Sequence, residues 1–180
     1  VSAEQLLHLR HGYYACVSYI DQQVGRLLDA LQQLDLDRNT IVILCGDHGF
    51  TLGEQNRWCK ATNFELDTRV PLLIRTPWIA QKGIASDALV ELVDLYPTIL
   101  ESVGRPLPPI NESKPLHGVN LLPLFGDAYS PTRDCALMGM FGKSVSITDG
   151  DWTLHQSPVA TNQPLYWHGY HLARFINYDL

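Results

Sequence analysis

The sequence predicts an α/β fold that ends in a small antiparallel part, and three patterns indicate it. A long helical pattern runs from Ala3 to about Leu36. The apolar run 40–45 follows after a short polar turn, and a helix followed so closely by a strand is typical of an α/β layer. After Cys135 the pattern changes to short β-like runs. We therefore expect a parallel sheet flanked by helices, followed by a small antiparallel sheet.

The first helix is predicted from a single apolar stripe. Its apolar residues recur at steps of three and four, as on one face of a helix. They are Tyr13, Val17, Ile20, Val24, Leu27, Leu28, Leu31 and Leu34. The polar turn 35–39 then leads into the first strand, so the helix and the strand should be neighbours in the fold.

The next elements are predicted to be a strand, a helix and an irregular segment. The strand is Val70–Arg75. A cap at Ser86-Asp87 should begin a helix that runs to about Val103, kinked or divided at Pro97 and ended by Gly104. The proline-rich segment 105–134 should be a long connection. Its order should come from packing of four apolar residues, Leu121, Leu122, Leu124 and Phe125.

The tail contains a sequence pattern typical of a hairpin, and the cysteines show no pattern typical of a disulfide framework. Asp149-Gly150 between two β-like runs predicts a tight hairpin. The segment 166–171, with His168 and His171, could line a substrate pocket, although packing is the favoured interpretation. The four cysteines form no CxxC pair, so we expect buried free thiols rather than disulfides. Asn111-Glu112-Ser113 fits a glycosylation acceptor.

Composition excludes some classes of protein. The chain has 180 residues, 46% hydrophobic and 18% charged, as in a folded domain with a sizeable core. A net charge of −6 argues against a nucleic-acid partner, which favours a basic surface. No stretch approaches the roughly twenty apolar residues that span a bilayer. The chain begins without Met or a signal peptide, so we expect that it was cut from a longer protein.

The chemistry is concentrated just after the first strand. Functional groups in open α/β sheets gather beyond the carboxyl ends of strands, where Asp47 and His48 stand. A carboxylate and a neutral imidazole can both bind a metal ion, and Gly46 and Gly49 would let the backbone approach a ligand. The alternative is that Asp47 caps a turn and His48 is a partly buried polar residue. Lys60 alone would be read as a surface lysine.

Four segments stand in consistent order and spacing: GYYACVSYIDQQVGRLLDAL, NTIVILCGDHGFTLGEQNRWCKATNFELDTRVPLLI, ALVELVDLYPTILESVG and LHGVNLLPLF. Together they resemble the C-terminal half of the sulfatases, which belong to the alkaline phosphatase superfamily. They are similar in particular to the iduronate-2-sulfatase-like branch. The resemblance implies part of an alkaline-phosphatase-like sheet flanked by helices over residues 1–130. It also implies an incomplete small antiparallel subdomain over residues 131–180.

The resemblance also implies roles for single residues. Asp47 and His48 fall on the second pair of calcium ligands, although many sulfatases have Asn where this chain has His48. Lys60 falls on the lysine that contacts the sulfate group. Six further residues match the family pattern: Tyr13, Tyr14, Asp21, Glu65, Arg69 and Pro71. The resemblance implies packing for the tyrosines and a structural role for Asp21, and for Arg69 a structural role is favoured over a catalytic one.

The sequence lacks the rest of a sulfatase active site. The family's nucleophile is a formylglycine made from Cys or Ser in a Cys/Ser-x-Pro/Ala-x-Arg motif, and no cysteine or serine here fits it. No counterpart of the first Asp pair is found either. The chain alone is therefore expected to contain no catalytic nucleophile and to be inactive. It would need the N-terminal part of the same enzyme as partner, a sulfate ester as substrate and a divalent metal, most simply Ca²⁺.

Two other functions remain open from the sequence. One is a phosphodiesterase or phosphonate monoester hydrolase of the same superfamily, which also uses an Asp-His pair at this point. The other is a non-catalytic fragment that serves only for binding or packing. For the location, the resemblance alone suggests a place outside the cytoplasm, such as the periplasm, the lysosome or the medium.

Overall fold

A computed structural model describes residues 2–60, 62–79, 82–109, 116–140, 144–156 and 172–176 of the chain. Helix α1, Ala3–Gln33, is the predicted first helix. It begins with a capping box, in which the hydroxyl of Ser2 accepts the N–H of Gln5 and the Gln5 side chain accepts the N–H of Ser2. None of the residues of α1 is buried by the part of the chain that the structure describes.

The other elements are short. The remaining helices are α2 (Glu65–Thr68), α3 (Leu95–Ser102) and α4 (Pro123–Gly126). The first five strands are β1 (Val42–Cys45), β2 (Thr51–Leu52), β3 (Trp58–Cys59), β4 (Arg69–Arg75) and β5 (Ala85–Glu91). The last four are β6 (Ala136–Met140), β7 (Ser144–Thr148), β8 (Thr153–Gln156) and β9 (Leu172–Ile176).

The main sheet is mixed, and the prediction of a parallel sheet is wrong for it. Its strand order is β1-β4-β9-β5. β1 and β4 are antiparallel, with Cys45 opposite Leu72, and only β4 and β9 are parallel. A parallel pair needs a crossover connection that is usually a helix, whereas a hairpin and one short helix connect β1 to β4. Strand β9 comes from the range 131–180 and yet pairs within the main sheet.

The helix predicted to begin at Ser86 does not begin there, which corrects the sequence analysis. Residues 85–91 form β5, because Ser86 and Val90 are buried while residues between them are not, as in a strand. Helix α3 begins at Leu95 and holds Pro97 in its first turn, where a missing N–H breaks no helical bond. Gly104, with φ of 65°, follows the helix end as predicted.

The core lies between the main sheet and the segment that was predicted to be irregular. Three of the four apolar residues expected to order that segment, Leu121, Leu124 and Phe125, are buried against Leu72 and Val90. The small sheet β6-β7-β8 is antiparallel. Its second hairpin turns at Asp149-Gly150 as predicted. The fold class is therefore confirmed as mixed helix and sheet with a small antiparallel sheet.

A buried ion cluster joins the two sheets. Arg133 pairs with the carboxylate of Glu91 at 2.7 Å and also with that of Asp94. Asp94 accepts the N–H of Val119 at 2.8 Å, and Glu91 accepts the N–H of Leu137, in β6, at 2.8 Å. The end of β5 and the start of β6 are therefore held together by charged hydrogen bonds.

The four cysteines are free and exposed, so the expectation of buried thiols is wrong. Cys16 lies on α1, and Cys45 ends β1, which is at one edge of the described sheet. Asn111-Glu112-Ser113 and the pair His168 and His171 lie outside the described residues. Among those described, no helix is both long and apolar enough to cross a membrane.

Candidate functional site

The loop that follows β1 is fixed against the start of β4. The N–H of Gly46 donates to the carbonyl of Pro71 at 3.0 Å, and the N–H of Gly49 donates to that of Asp67 at 2.7 Å. A Cβ added at Gly49 would lie only 1.9 Å from the carbonyl oxygen of Leu66. Glycine is therefore required at this position because the two backbones approach each other closely.

A small hairpin returns the chain to this loop. β2 and β3 pair with Thr51 opposite Cys59, and the hydroxyl of Thr51 donates to the carbonyl of Cys59 at 2.8 Å. The turn between them begins at Gly53, with φ of 107°. Glu54 accepts N–H groups from its own backbone and from Leu52, which lowers the pKa of the Glu54 carboxyl below its usual value. Lys60 follows directly after β3.

Helix α1 supports the hairpin from one side. The guanidinium Nε of Arg10 donates to the carbonyl of Leu52 at 2.8 Å. The rings of Tyr13 and Phe50 lie 5.4 Å apart between centroids, which is a packing contact. The first helix therefore contacts the loop and hairpin that carry the candidate site.

Asp47 and Lys60 meet in this arrangement. Nζ of Lys60 lies 3.7 Å from Oδ2 of Asp47, and their side chains are 50% and 90% exposed. An ion pair so exposed contributes about 0–1 kcal/mol to stability. Both groups are therefore open to a ligand, and the fold does not depend on their contact.

His48 follows Asp47 in the chain, and its ring makes a hydrogen bond to the neighbouring backbone. Nδ1 is 2.9 Å from the carbonyl oxygen of Gly49. Because a carbonyl can only accept, Nδ1 carries a proton in this contact. Metal-binding histidines commonly hold their second ring nitrogen in this way.

The two donors are too few for a calcium ion. A carboxylate suits this hard cation, which takes six to eight ligands that are mostly oxygens, and an imidazole is a common metal ligand that could complete the coordination. No group of three or more His, Cys, Asp or Glu that could hold a metal occurs among the described residues. Asp47 and His48 could therefore supply only part of a metal site.

Sequence analysis missed one residue of this region, Asp67. Its side chain is 0% exposed, and Oδ2 accepts both the N–H and the hydroxyl of Thr62, at 3.0 and 2.6 Å. Nothing in the sequence distinguishes it from the exposed acid Glu65, which pairs with Arg69 at 2.8 Å. Only its burial sets it apart.

The sequence of the chain is similar to those of known sulfatases. The family model described as Sulfatase matches residues 2–104. Iduronate 2-sulfatase of Homo sapiens is 38% identical over 125 residues, which cover 56% of this chain and 23% of that protein. Choline-sulfatase of Rhizobium meliloti (strain 1021) is 33% identical over 156 residues, which cover 84% of this chain and 30% of that protein.

Two solved structures are similar in fold. A protein in complex with its substrate D-glucosamine-2-N,6-O-disulfate has a TM-score of 0.69 and 28% identity, over 82% of this chain and 31% of its own. The phosphonate monoester hydrolase from Silicibacter pomeroyi has a TM-score of 0.66 and 25% identity, over 77% of this chain and 30% of its own. The chain thus spans less than a third of the length of these relatives.

Proposed function

The chain belongs to the sulfatase family, and we propose that it supplies part of the active site of an enzyme that hydrolyses sulfate esters. The observation that carries the proposal is the meeting of Asp47 and Lys60, with Nζ and Oδ2 3.7 Å apart and both side chains exposed. His48 follows Asp47 on the same loop. A carboxylate and an imidazole on one loop thereby lie near a cation from another, where a charged ester could be bound.

Each residue has a distinct chemical task in this proposal. The oxygens of a sulfate ester carry negative charge, and the ammonium group of Lys60 would stabilise that charge in the transition state. Asp47 and His48 would hold a divalent cation, of which Ca²⁺ is the first candidate. When bound, such a cation would add electrostatic stabilisation of the same oxygens. Lys60 can exchange its contact with Asp47 for a substrate oxygen because both groups are accessible.

We propose further that the site is completed by groups outside these 180 residues. The sequence has no Cys/Ser-x-Pro/Ala-x-Arg motif for a formylglycine, and no first Asp pair. The short span of the chain relative to its relatives is consistent with this division. The exposure of large apolar residues on helix α1 is also consistent with it. These include Leu7, Tyr14, Val17, Tyr19, Ile20 and Leu27.

The test begins with the protein isolated from its source. Its intact mass and peptide map would show whether a formylglycine-bearing segment precedes Val1. Hydrolysis of p-nitrophenyl sulfate would then be measured for the wild type, for Asp47→Asn and for the control Asp151→Asn, which changes an exposed turn. We expect the first variant alone to lose activity and bound metal. Undiminished activity and metal content in Asp47→Asn would contradict the proposal.

A phosphorus ester is the second candidate substrate. The observation that favours it is the similarity in fold to a phosphonate monoester hydrolase. Rates on p-nitrophenyl sulfate and p-nitrophenyl phenylphosphonate, measured side by side, separate the two. A higher kcat/KM on the phosphonate would move the assignment to that branch of the superfamily. Absence of both activities in the complete protein would favour a non-catalytic binding role.

A further inference from the structure

Asp67 is a buried carboxylate that contacts residues next to both parts of the candidate site, Gly49 after His48 and Thr62 after Lys60. It lies on the short helix α2, directly before β4, and its side chain is 0% exposed. Aspartate is almost never fully buried unless its oxygens are paired. The contacts of Asp67 therefore indicate what its burial achieves.

The side chain of Asp67 holds the segment that follows Lys60. Oδ2 accepts the N–H of Thr62 at 3.0 Å and its hydroxyl at 2.6 Å. The hydroxyl of Thr62 in turn accepts the N–H of Phe64 at 3.2 Å, and the N–H of Asp67 donates to the carbonyl of Phe64 at 2.8 Å. These bonds close a compact turn over residues 62–67, which begins two positions after the lysine.

The backbone of Asp67 holds the loop that carries Asp47 and His48. Its carbonyl accepts the N–H of Gly49 at 2.7 Å. The two chains are so close here that a Cβ on Gly49 would lie 2.9 Å from Cα of Asp67. One residue therefore binds Thr62, two positions after Lys60, through its side chain and the Asp47-His48 loop through its main chain.

We propose that Asp67 is a positioning residue, which sets Lys60 at its working distance from the Asp47-His48 pair. This inference rests on the proposed sulfate-ester hydrolysis. A displacement of about 1 Å in a catalytic group can cost about 10²-fold in rate. In the complete protein, Asp67→Ala should therefore lower kcat by about 10²-fold and change KM much less, because substrate still reaches an open site.

A conservative variant separates the hydrogen bonds from simple filling of space. In Asp67→Asn the amide oxygen can accept both bonds from Thr62. The amide NH₂ would then take the place of Oδ1, which has no hydrogen-bond partner among the described residues. We expect Asp67→Asn to recover most of the kcat lost in Asp67→Ala. Leu66→Ala, which shortens an exposed side chain of the same helix, is the matched control and should keep full activity.

A double variant tests positioning against a general loss of structure. If Asp67 acts through Lys60, then Asp67→Ala should reduce kcat little further in a Lys60→Ala background. If the fold losses in kcat of the two single variants multiply in the double variant, the positioning role is overturned. An equal loss of kcat in Asp67→Asn and Asp67→Ala would also overturn it.

Hydrogen exchange of the wild-type and variant proteins tests the link without any substrate. Asp67→Ala should speed exchange of the Thr62 amide at least about tenfold, while the amides of β4 keep their protection. Unchanged exchange at Thr62 would overturn the link itself, whatever the activity. If the wild type hydrolyses neither ester, the proposed function fails and the catalytic part of the inference fails with it, while the exchange result still decides whether Asp67 holds the lysine segment.

Discussion

Nζ of Lys60 lies 3.7 Å from Oδ2 of Asp47, and the two residues come from different loops. The loop of Asp47 leaves the end of β1, whereas Lys60 follows the small hairpin. Both side chains are at least half exposed, so their attraction contributes little to folding. The fold holds the two loops together through other bonds and leaves this cation and this carboxylate accessible, as a binding site requires.

The first prediction concerns Lys60. Removal of one donor that stabilises transition-state charge typically costs about 10²–10³ in kcat, or about 2.7–4 kcal/mol. In the complete protein, we expect Lys60→Ala to lose activity on p-nitrophenyl sulfate by that factor, with the free energy of unfolding changed by less than about 1 kcal/mol. Steady-state kinetics and urea unfolding check both parts. Lys82→Ala, at another exposed lysine, is the control, and full activity of Lys60→Ala would remove the lysine from the mechanism.

The second prediction concerns calcium. Two ligands are too few for a six- to eight-coordinate ion, so we expect the 180-residue chain to bind Ca²⁺ only weakly, with Kd of about 1 mM or more. Isothermal titration of the chain and of Asp47→Asn measures it. Micromolar binding by the chain alone would mean that its own residues complete the site. That result would contradict the proposal that groups outside the chain complete it.

The part of the site that could be predicted is the part with a distinctive residue order. Asp47 and His48 stand out as a glycine-flanked acid and imidazole at the end of an apolar run, and the resemblance of the surrounding segments to a known family favours a metal site over a capped turn. Lys60 is predicted from that resemblance alone. Asp67 could not be selected, since one acid in a polar run carries no mark of burial. Its contact with Thr62 depends on a turn that sequence periodicity does not describe.

The fold shows the same division. The apolar stripe from Tyr13 to Leu34 predicts most of helix α1 because it repeats many times. The sequence predicts a helix where β5 stands because capping residues and an apolar run at 86–90 suit both structures, and burial of alternate residues decides between them. The direction of β1 relative to β4 could not be predicted either. An apolar run indicates that a strand is buried and does not indicate whether its neighbour is parallel or antiparallel.

The third prediction concerns the close approach at Gly49. A methyl group there would overlap the carbonyl of Leu66, and overpacking of this kind costs about 1–3 kcal/mol. Gly49→Ala should therefore lower the free energy of unfolding by that amount and displace the Asp47 loop. Gly126→Ala is the control, because a Cβ at Gly126 meets nothing within 4 Å. Equal stability of the two variants in urea would show that the loop can move without cost.

The fourth prediction concerns the ion cluster of Arg133, Glu91 and Asp94. Removing one partner from a buried ion pair typically costs about 3–5 kcal/mol, because the other charge stays buried. Arg133→Leu leaves two carboxylates without their cation, so we expect a loss of this size near neutral pH. Urea unfolding measures it. Arg38→Leu removes an exposed pair with Asp35 and should change the stability by about 1 kcal/mol or less.

The pH dependence of the same variant gives a sharper test. Burial raises the pKa of Asp94 above its ordinary value of 3.8, opposed by the N–H groups of Glu91 and Val119 and by Arg133. A group with a raised folded pKa binds its proton more tightly in the folded state, so its contribution to stability is full below the unfolded pKa and is lost as the pH rises through the folded pKa. Without Arg133 the pKa of Asp94 should rise further. The loss in Arg133→Leu should therefore shrink as the pH is lowered from about 7 towards about 4, and a loss that is constant or grows over this range would contradict the assignment.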